Sequence, residues 1–187
     1  ELCLSDGSGK ESPIRGVLEQ YRDSDPRIRV LFQDEPLQIS ENTNAAIGIA
    51  TGEYIVFADH DDELTPNALY ECVKALNEPD FNIDLLRTVN YICHLFVAKR
   101  SVIDRVGMLR SEFDGAQDYD FIFRCTEAAG EKKIHHIPKI LYHWRSHEDS
   151  TSENPASKLY AFDAGQRAIQ AHYDRVGIHA TVEKGEY

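Results

Sequence analysis

The run Tyr54-Ile55-Val56-Phe57-Ala58, followed at once by Asp59-His60-Asp61-Asp62, constrains this chain more than any other stretch. Consecutive apolar residues without alternation leave no face for water, which is the pattern of a strand covered on both sides in a parallel sheet. The change to carboxylates is abrupt, so the strand must end where its carboxyl end meets solvent. Thr65-Pro66 then reads as the cap of a helix expected to run to about Leu76.

The same alternation recurs upstream. Leu2 to Ser5 reads as a short buried strand ending in the turn Asp6-Gly7-Ser8-Gly9. Pro13 opens a helix whose apolar positions Ile14, Val17, Leu18 and Tyr21 recur at helical spacing. Ile28 to Phe32 reads as a second strand, and a helix from about Glu41 to Ala50 stops near Gly52. Such βαβα order predicts an α/β layered fold with a mainly parallel sheet, in which ligands bind beyond the carboxyl ends of the strands. Both acidic turns, at Asp6 and at Asp59 to Asp62, fall at such ends. The second half is less regular. Leu95 to Ala98 reads as a strand, Asp118 to Ala129 as a helix stopped by Gly130, and Ile134 to Ile137 and Ile140 to Trp144 as further strands. A final helix from about Ser157 to Tyr173 places Leu159, Phe162, Ile169 and Tyr173 on one face.

Composition limits the partners. A length of 187 residues fits one domain, or a domain with a small extension. The net charge of -12 repels phosphate backbones, so no nucleic acid is expected, and an anionic ligand would need a bound cation or local Arg and Lys. Cys3, Cys72, Cys93 and Cys125 are scattered without a C-x-x-C pair, which reads as reduced thiols in a cytoplasmic setting. No apolar run approaches the length of a membrane-spanning helix.

Three segments carry residues fit for chemistry. Asp59-His60-Asp61-Asp62 packs three carboxylates into four residues, where they repel one another unless a cation or solvent intervenes. Asp59 and Asp61 suit a hard divalent ion such as Mn2+ or Mg2+, although the tetrapeptide alone reads equally well as a helix-capping turn. Gln117-Asp118-Tyr119-Asp120 sits at a predicted helix start, where capping and the helix dipole already favour Asp, yet a fixed Asp also serves as a general base. His143-Trp144-Arg145-Ser146-His147-Glu148-Asp149-Ser150 follows a predicted strand and could close over phosphates, with His147 on a metal and Arg145 on phosphate.

Taken in order along the chain, these segments resemble the inverting family 2 of glycosyltransferases. Glu1-Leu2-Cys3-Leu4-Ser5-Asp6-Gly7-Ser8 is similar to the family's strand and nucleoside-binding acidic turn. Asn44-Ala45-Ala46 and Ala50-Thr51-Gly52-Glu53-Tyr54-Ile55 are similar to its next helix and strand. Asp59-His60-Asp61-Asp62-Glu63-Leu64 resembles its D-x-D metal site, and Gly115-Ala116-Gln117-Asp118-Tyr119-Asp120 its acceptor-side motif. His147 with Asp149-Ser150-Thr151-Ser152 resembles the late histidine that completes the metal site in some members.

The resemblance implies a GT-A-type three-layer α/β/α sandwich with a mainly parallel mixed sheet, of the nucleotide-diphospho-sugar transferase kind. It implies a catalytic domain over residues 1–152 and a C-terminal helical extension over 153–187. Asp118 is then the catalytic base, with Asp6, Asp59 and Arg145 on the nucleotide and Asp59, Asp61 and His147 on Mn2+ or Mg2+. The implied reaction is transfer, with inversion, of a sugar from a nucleotide-sugar donor to an acceptor hydroxyl in bacterial cell-surface polysaccharide synthesis. A UDP-sugar is the expected donor, with dTDP-rhamnose as the alternative, and a saccharide or lipid-linked saccharide is the acceptor. The expected location is the cytoplasm, with peripheral association at the inner face of the membrane.

Three departures stand out. The family's first strand, which normally precedes Glu1, has no counterpart, and neither has a strand and long loop that usually follow the helix ending near Leu76. Gln117 stands where many members have Glu. Two other readings stay open: a sugar nucleotidyltransferase, and a non-catalytic sugar- or partner-binding module.

Overall fold

The computed structural model describes residues 1–74, 81–92, 94–137, 139–143, 145 and 159–183. Strand β1 (Leu2–Asp6) lies parallel to β2 (Ile28–Phe32), with Leu2 opposite Ile28 and Asp6 opposite Phe32. Parallel neighbours need a crossover, and helix α1 (Arg15–Ser24) supplies it. Helix α2 (Ile39–Ile49) leads into β3 (Tyr54–Phe57), which ends where the acidic turn begins. A two-residue strand β4 (Glu63–Leu64) and helix α3 (Ala68–Lys74) follow. Beyond them come α4 (Ile83–Leu86), β5 (Phe96–Lys99), α5 (Arg100–Val106), α6 (Gln117–Ala129), β6 (Tyr142–His143) and α7 (Leu159–Val176).

The fold is α/β with a parallel pair, as expected. The other two pairings are antiparallel: β3 with β5, Tyr54 opposite Lys99 and Phe57 opposite Phe96, and β4 with β6, Leu64 opposite Tyr142. The β3–β5 pair puts Phe57 and Phe96 face to face at 5.6 Å, and both lean on Phe121 of α6. The pair β4–β6 matters more for the site, because it brings Tyr142 back to the acidic turn.

Helix α6 is the centre of the molecule. Its residues from Tyr119 to Thr126 are all buried, so water reaches neither flank of its middle turns. One side packs Phe121 and Cys125 against Ile47, Ile55, Ala98, Ile103 and Leu109. The other packs Tyr119, Ile122 and Phe123 against Leu86, Phe113 and two alanines of α7, Ala164 and Ala168. Each such Phe contributes about 1.5–3 kcal/mol by leaving water. The helix ends cleanly at Gly130, whose φ of 78 suits a residue without Cβ.

Polar side chains fix the loops around this core. Asn44 on α2 donates to the carbonyl of Leu109 and accepts from its amide, both at 2.9 Å, tying together residues 65 apart in sequence. Ser40, fully buried, donates its hydroxyl to Asp114. Gly7 lies so close to α2 that an added Cβ would sit 2.8 Å from the Asn42 side chain. Gly115 has φ 99 and would meet the ring of Tyr160 at 2.6 Å, so the turn opening α6 is glycine for two reasons.

Two expectations need correction. Ile134 to Ile137 forms no strand; it follows a 3-10 turn (Glu131–Lys133), and Ile137 instead packs beside Ala68, Cys72 and Leu141. Its apolar character serves packing without a ladder. In α7 the covered stripe is Ala164, Ala168 and His172, while Leu159 and Phe162 are exposed. Small residues win that face because α6 approaches too closely for larger ones. Cys3, Cys72 and Cys125 are free thiols, and Cys93 lies outside the described residues. No described helix is long and apolar enough to cross a membrane.

Candidate active site

The acidic turn after β3 divides its carboxylates between two duties. Asp62 is engaged: its Oδ2 accepts the Tyr142 hydroxyl at 2.5 Å and its Oδ1 accepts the Arg145 amide at 2.7 Å. The Tyr142 oxygen in turn accepts from the Asp59 amide at 3.0 Å, so β6 clamps both ends of the turn. Burial and the neighbouring Asp62 carboxylate push the Tyr142 phenol well above its ordinary value, which keeps it a hydrogen-bond donor. Asp59 keeps its carboxylate largely in solvent, with Nδ1 of His94 3.9 Å away.

Arg145 lies beside this turn, and its guanidinium pairs with Glu63 at 2.7 Å on the surface. His147 falls outside the described residues, as do Ser146 and residues 148–158. Among the described residues no three His, Cys, Asp or Glu side chains converge on a metal position. The donors nearest to hand, Asp59 and Asp61, are hard oxygens of the kind Mg2+ and Mn2+ prefer, and a diphosphate and water would have to supply most of the remaining positions.

Asp118 enters from α6. Burial pushes its carboxyl above the usual aspartate range, against the pull of the Tyr119 amide, the charge of His94, its own amide and the Asn90 side chain. Asn90 Nδ2 donates to Asp118 Oδ2 at 2.8 Å. Among the described residues no arginine or lysine pairs with this carboxylate. His94 bears on both candidate carboxylates: its Nδ1 lies 3.9 Å from Asp59, its charge draws the Asp118 carboxyl down, and its ring lies flat on Tyr142, 5.1 Å between centroids and 11° between planes.

Asp6 stands at the carboxyl end of β1, as expected. It is buried; Oδ1 accepts the Ser8 amide at 3.1 Å, and Oδ2 has no hydrogen-bond partner of good geometry. Burial raises its carboxyl, but the hydroxyls of Ser12 and Ser8, the Ser8 amide and Arg15 outweigh that and hold it below the usual value. So placed at the carboxyl end of β1, the Asp6 carboxylate has acceptor capacity left for an N–H or O–H donor.

Sequence reasoning missed Asn90, His94 and Tyr142. Tyr142 was within a predicted strand, but nothing in its spacing marks its hydroxyl as the brace of a turn 80 residues earlier. Asn90 and His94 lie in an irregular segment before β5, where no periodicity singles them out. A cavity of about 580 Å3 lies behind the His94–Tyr142 stack, lined mostly by apolar residues such as Phe81, Leu95 and Ile137. None of Asp59, Asp61 and Asp118 lines it, so the candidate chemistry belongs to the open side of that stack.

Residues 1–134 match the profile of glycosyl transferase family 2. An uncharacterized protein (y4gI) of Sinorhizobium fredii is 38% identical over 201 aligned positions, which cover 94% of this chain and 22% of the relative. The O-antigen biosynthesis protein RfbC of Myxococcus xanthus is 30% identical over 208 positions, covering 97% of this chain and 16% of RfbC. A chondroitin synthase of Pasteurella multocida is 24% identical over 179 positions, covering 81% and 18%. The chain thus spans about a fifth of the length of these curated relatives. The first two alignments are longer than the 187 residues of the chain, so both relatives carry additional residues inside the matched stretch. With the profile matching well over half of its length, this chain belongs to glycosyl transferase family 2.

Proposed function

We propose that this chain transfers a sugar from a nucleotide-sugar donor to the hydroxyl of a saccharide or lipid-linked acceptor, with inversion, in the cytoplasmic assembly of a bacterial surface polysaccharide. The observation that carries the reading is His94 beside Asp59 of the acidic turn, 3.9 Å away, with its charge also felt by the Asp118 carboxyl. The similarity to an O-antigen biosynthesis protein and to a chondroitin synthase supports a polysaccharide setting.

In this reading Asp6 receives the base or ribose of the nucleotide. Asp59 and Arg145 lie along the diphosphate, a UDP-sugar being the first choice and dTDP-rhamnose the second. Asp59, Asp61 and, if it folds back, His147 would hold Mn2+ or Mg2+, which when bound neutralises charge on the diphosphate. Asp118 takes the proton of the acceptor hydroxyl. The oxygen pair so released bonds to the anomeric carbon from the face opposite the diphosphate, whose C–O bond breaks and keeps its electron pair. Residues 1–152 would form the catalytic unit and 153–187 an appended helical part.

The deciding experiment offers UDP-N-acetylglucosamine, UDP-galactose, UDP-glucuronic acid and dTDP-rhamnose with Mn2+ and a set of methyl glycosides. Acceptor-dependent release of nucleoside diphosphate is the expected result. Formation of a nucleotide-sugar with pyrophosphate would establish a nucleotidyltransferase, and sugar binding without turnover a binding module. For the donor side, Asp61→Ala is expected to abolish Mn2+-dependent UDP binding in a calorimetric titration while the melting temperature holds. Unchanged affinity would remove Asp61 from the metal site.

A further inference from the structure

Asn90 does more than fill space beside Asp118. Its Nδ2 must face the carboxylate, because an ionised carboxylate only accepts hydrogen bonds. That fixes Oδ1 on the opposite side, and this oxygen is buried with no hydrogen-bond partner. An amide carbonyl left unbonded out of water is costly, typically about 1–3 kcal/mol, unless something else donates to it. The segment that carries Asn90 is itself braced: Tyr91 accepts from the Asn82 amide at 3.1 Å through its hydroxyl and donates to the Asn82 carbonyl at 3.2 Å. Four residues on, His94 is held flat against Tyr142. Before Asn90, the Val89 amide donates to the Leu85 carbonyl at 3.1 Å, so the backbone is held on both sides of Asn90.

We infer that Asn90 is a positioning residue of the transfer: its amide N–H aims the Asp118 carboxylate, and the cost of the unbonded, buried carbonyl is borne for that one hydrogen bond. A carboxylate held in this way cannot rotate away from the hydroxyl whose proton it takes. This inference rests on Asp118 acting as the base.

The test compares Asn90→Ala, Asn90→Gln, Asp118→Asn and the double variant Asn90→Ala/Asp118→Asn. The Asp118 carboxyl is followed by carbon NMR in the full chain without donor or acceptor, its signal being the one lost in Asp118→Asn. Loss of the Asn90 hydrogen bond should move the Asp118 titration further up in Asn90→Ala, with partial return in Asn90→Gln. With the donor that turns over in the panel above, Asn90→Ala should lose about ten- to a hundredfold in kcat, as misplacement of a reacting group does, while UDP affinity and melting temperature hold. The double variant should lose no more than Asp118→Asn alone. An unmoved Asp118 titration, or wild-type kcat in Asn90→Ala, overturns the inference. Normal turnover in Asp118→Asn overturns instead the assignment of the base, so the two failures are told apart.

Discussion

Two carboxylates enter α6 two residues apart and meet opposite surroundings. Asp118 is buried with an asparagine and a histidine for company, and no arginine or lysine touches it among the described residues. Asp120 is wholly buried among guanidinium groups: Arg110 grips it through two nitrogens, Arg124 reaches it at 2.9 Å and Arg175 at 3.5 Å. Arg124 also donates to the carbonyls of Val106 and Met108, and Arg175 continues to Glu127 at 2.8 Å. Glu127 accepts from His172, which is buried on the ring of Phe123. One carboxylate is raised by burial without a guanidinium to offset it among the described residues; the other is made a structural anchor by three. Residue type and helix position are shared, so the difference lies wholly in the neighbours.

That contrast breaks most severely if Asp118→Asn is made. Transfer should fall by about 10²–10⁴-fold, the range of a lost general base, with UDP affinity kept. The folded-state carboxyl titrates above its ordinary value, so its contribution to stability is present at low pH and lost as pH rises through the folded value. Above the folded value the ionised Asp118 is a net cost, and there the Asn variant should melt higher than the parent. A lower melting temperature would mean that Asp118, like Asp120, is an anchor.

Asp120→Ala should do the reverse. Removing the anion that three arginines share leaves the buried Arg124 without its carboxylate and should cost about 3–5 kcal/mol, read as a denaturant midpoint shift. At temperatures where the variant stays folded, nucleotide affinity should change little. Tyr142→Phe is expected to be milder. Loss of a hydroxyl bonded to Asp62 and to the Asp59 amide should cost about 1.5–3 kcal/mol where the turn is needed, seen as roughly tenfold or more weaker UDP binding with Mn2+.

The smallest effect sharpens the anchor side. Burial raises the Glu127 carboxyl, but His172 and Arg175 outweigh it and hold it below the ordinary 4.5. Its contribution is therefore present above that value and lost as pH falls through the folded one. Glu127→Gln should flatten the acid limb of the stability curve and leave the alkaline limb alone. A parallel shift at all pH values would place the stabilisation elsewhere.

Much of the scaffold was legible because it is local. The strand Ile28–Phe32, the run ending at Phe57 and the helix stopped by Gly130 follow from apolar runs and chain breakers that act over a few residues. Asp6, Asp59, Asp61 and Asp118 were legible as candidates because dense or strand-end carboxylates are costly without a purpose. What escaped is non-local. The brace from Tyr142 to Asp62, the reciprocal pair of Asn44 and Leu109, and the amide of Asn90 on Asp118 join residues 28 or more apart. Residue periodicity carries no information about such meetings. The face of α7 was misread for a related reason: the sequence marks large apolar residues, while close approach to α6 selects small ones.

The packing of α7 also separates two boundaries that are easily equated. The family profile ends at residue 134, yet Ala164 and Ala168 roof Tyr119, Ile122 and Phe123, and Tyr160 sits against Gly115 two residues before the helix that bears Asp118. A polypeptide cut at 134 would keep the whole inherited signature and lose the ceiling of its own interior. The alignments to y4gI and RfbC, covering 94% and 97% of the chain, show that these relatives carry the matching stretch as well. The unit that is copied from protein to protein in this lineage is therefore larger than the unit by which it is recognised. Grafting such a module into another chain would have to take the last helix along.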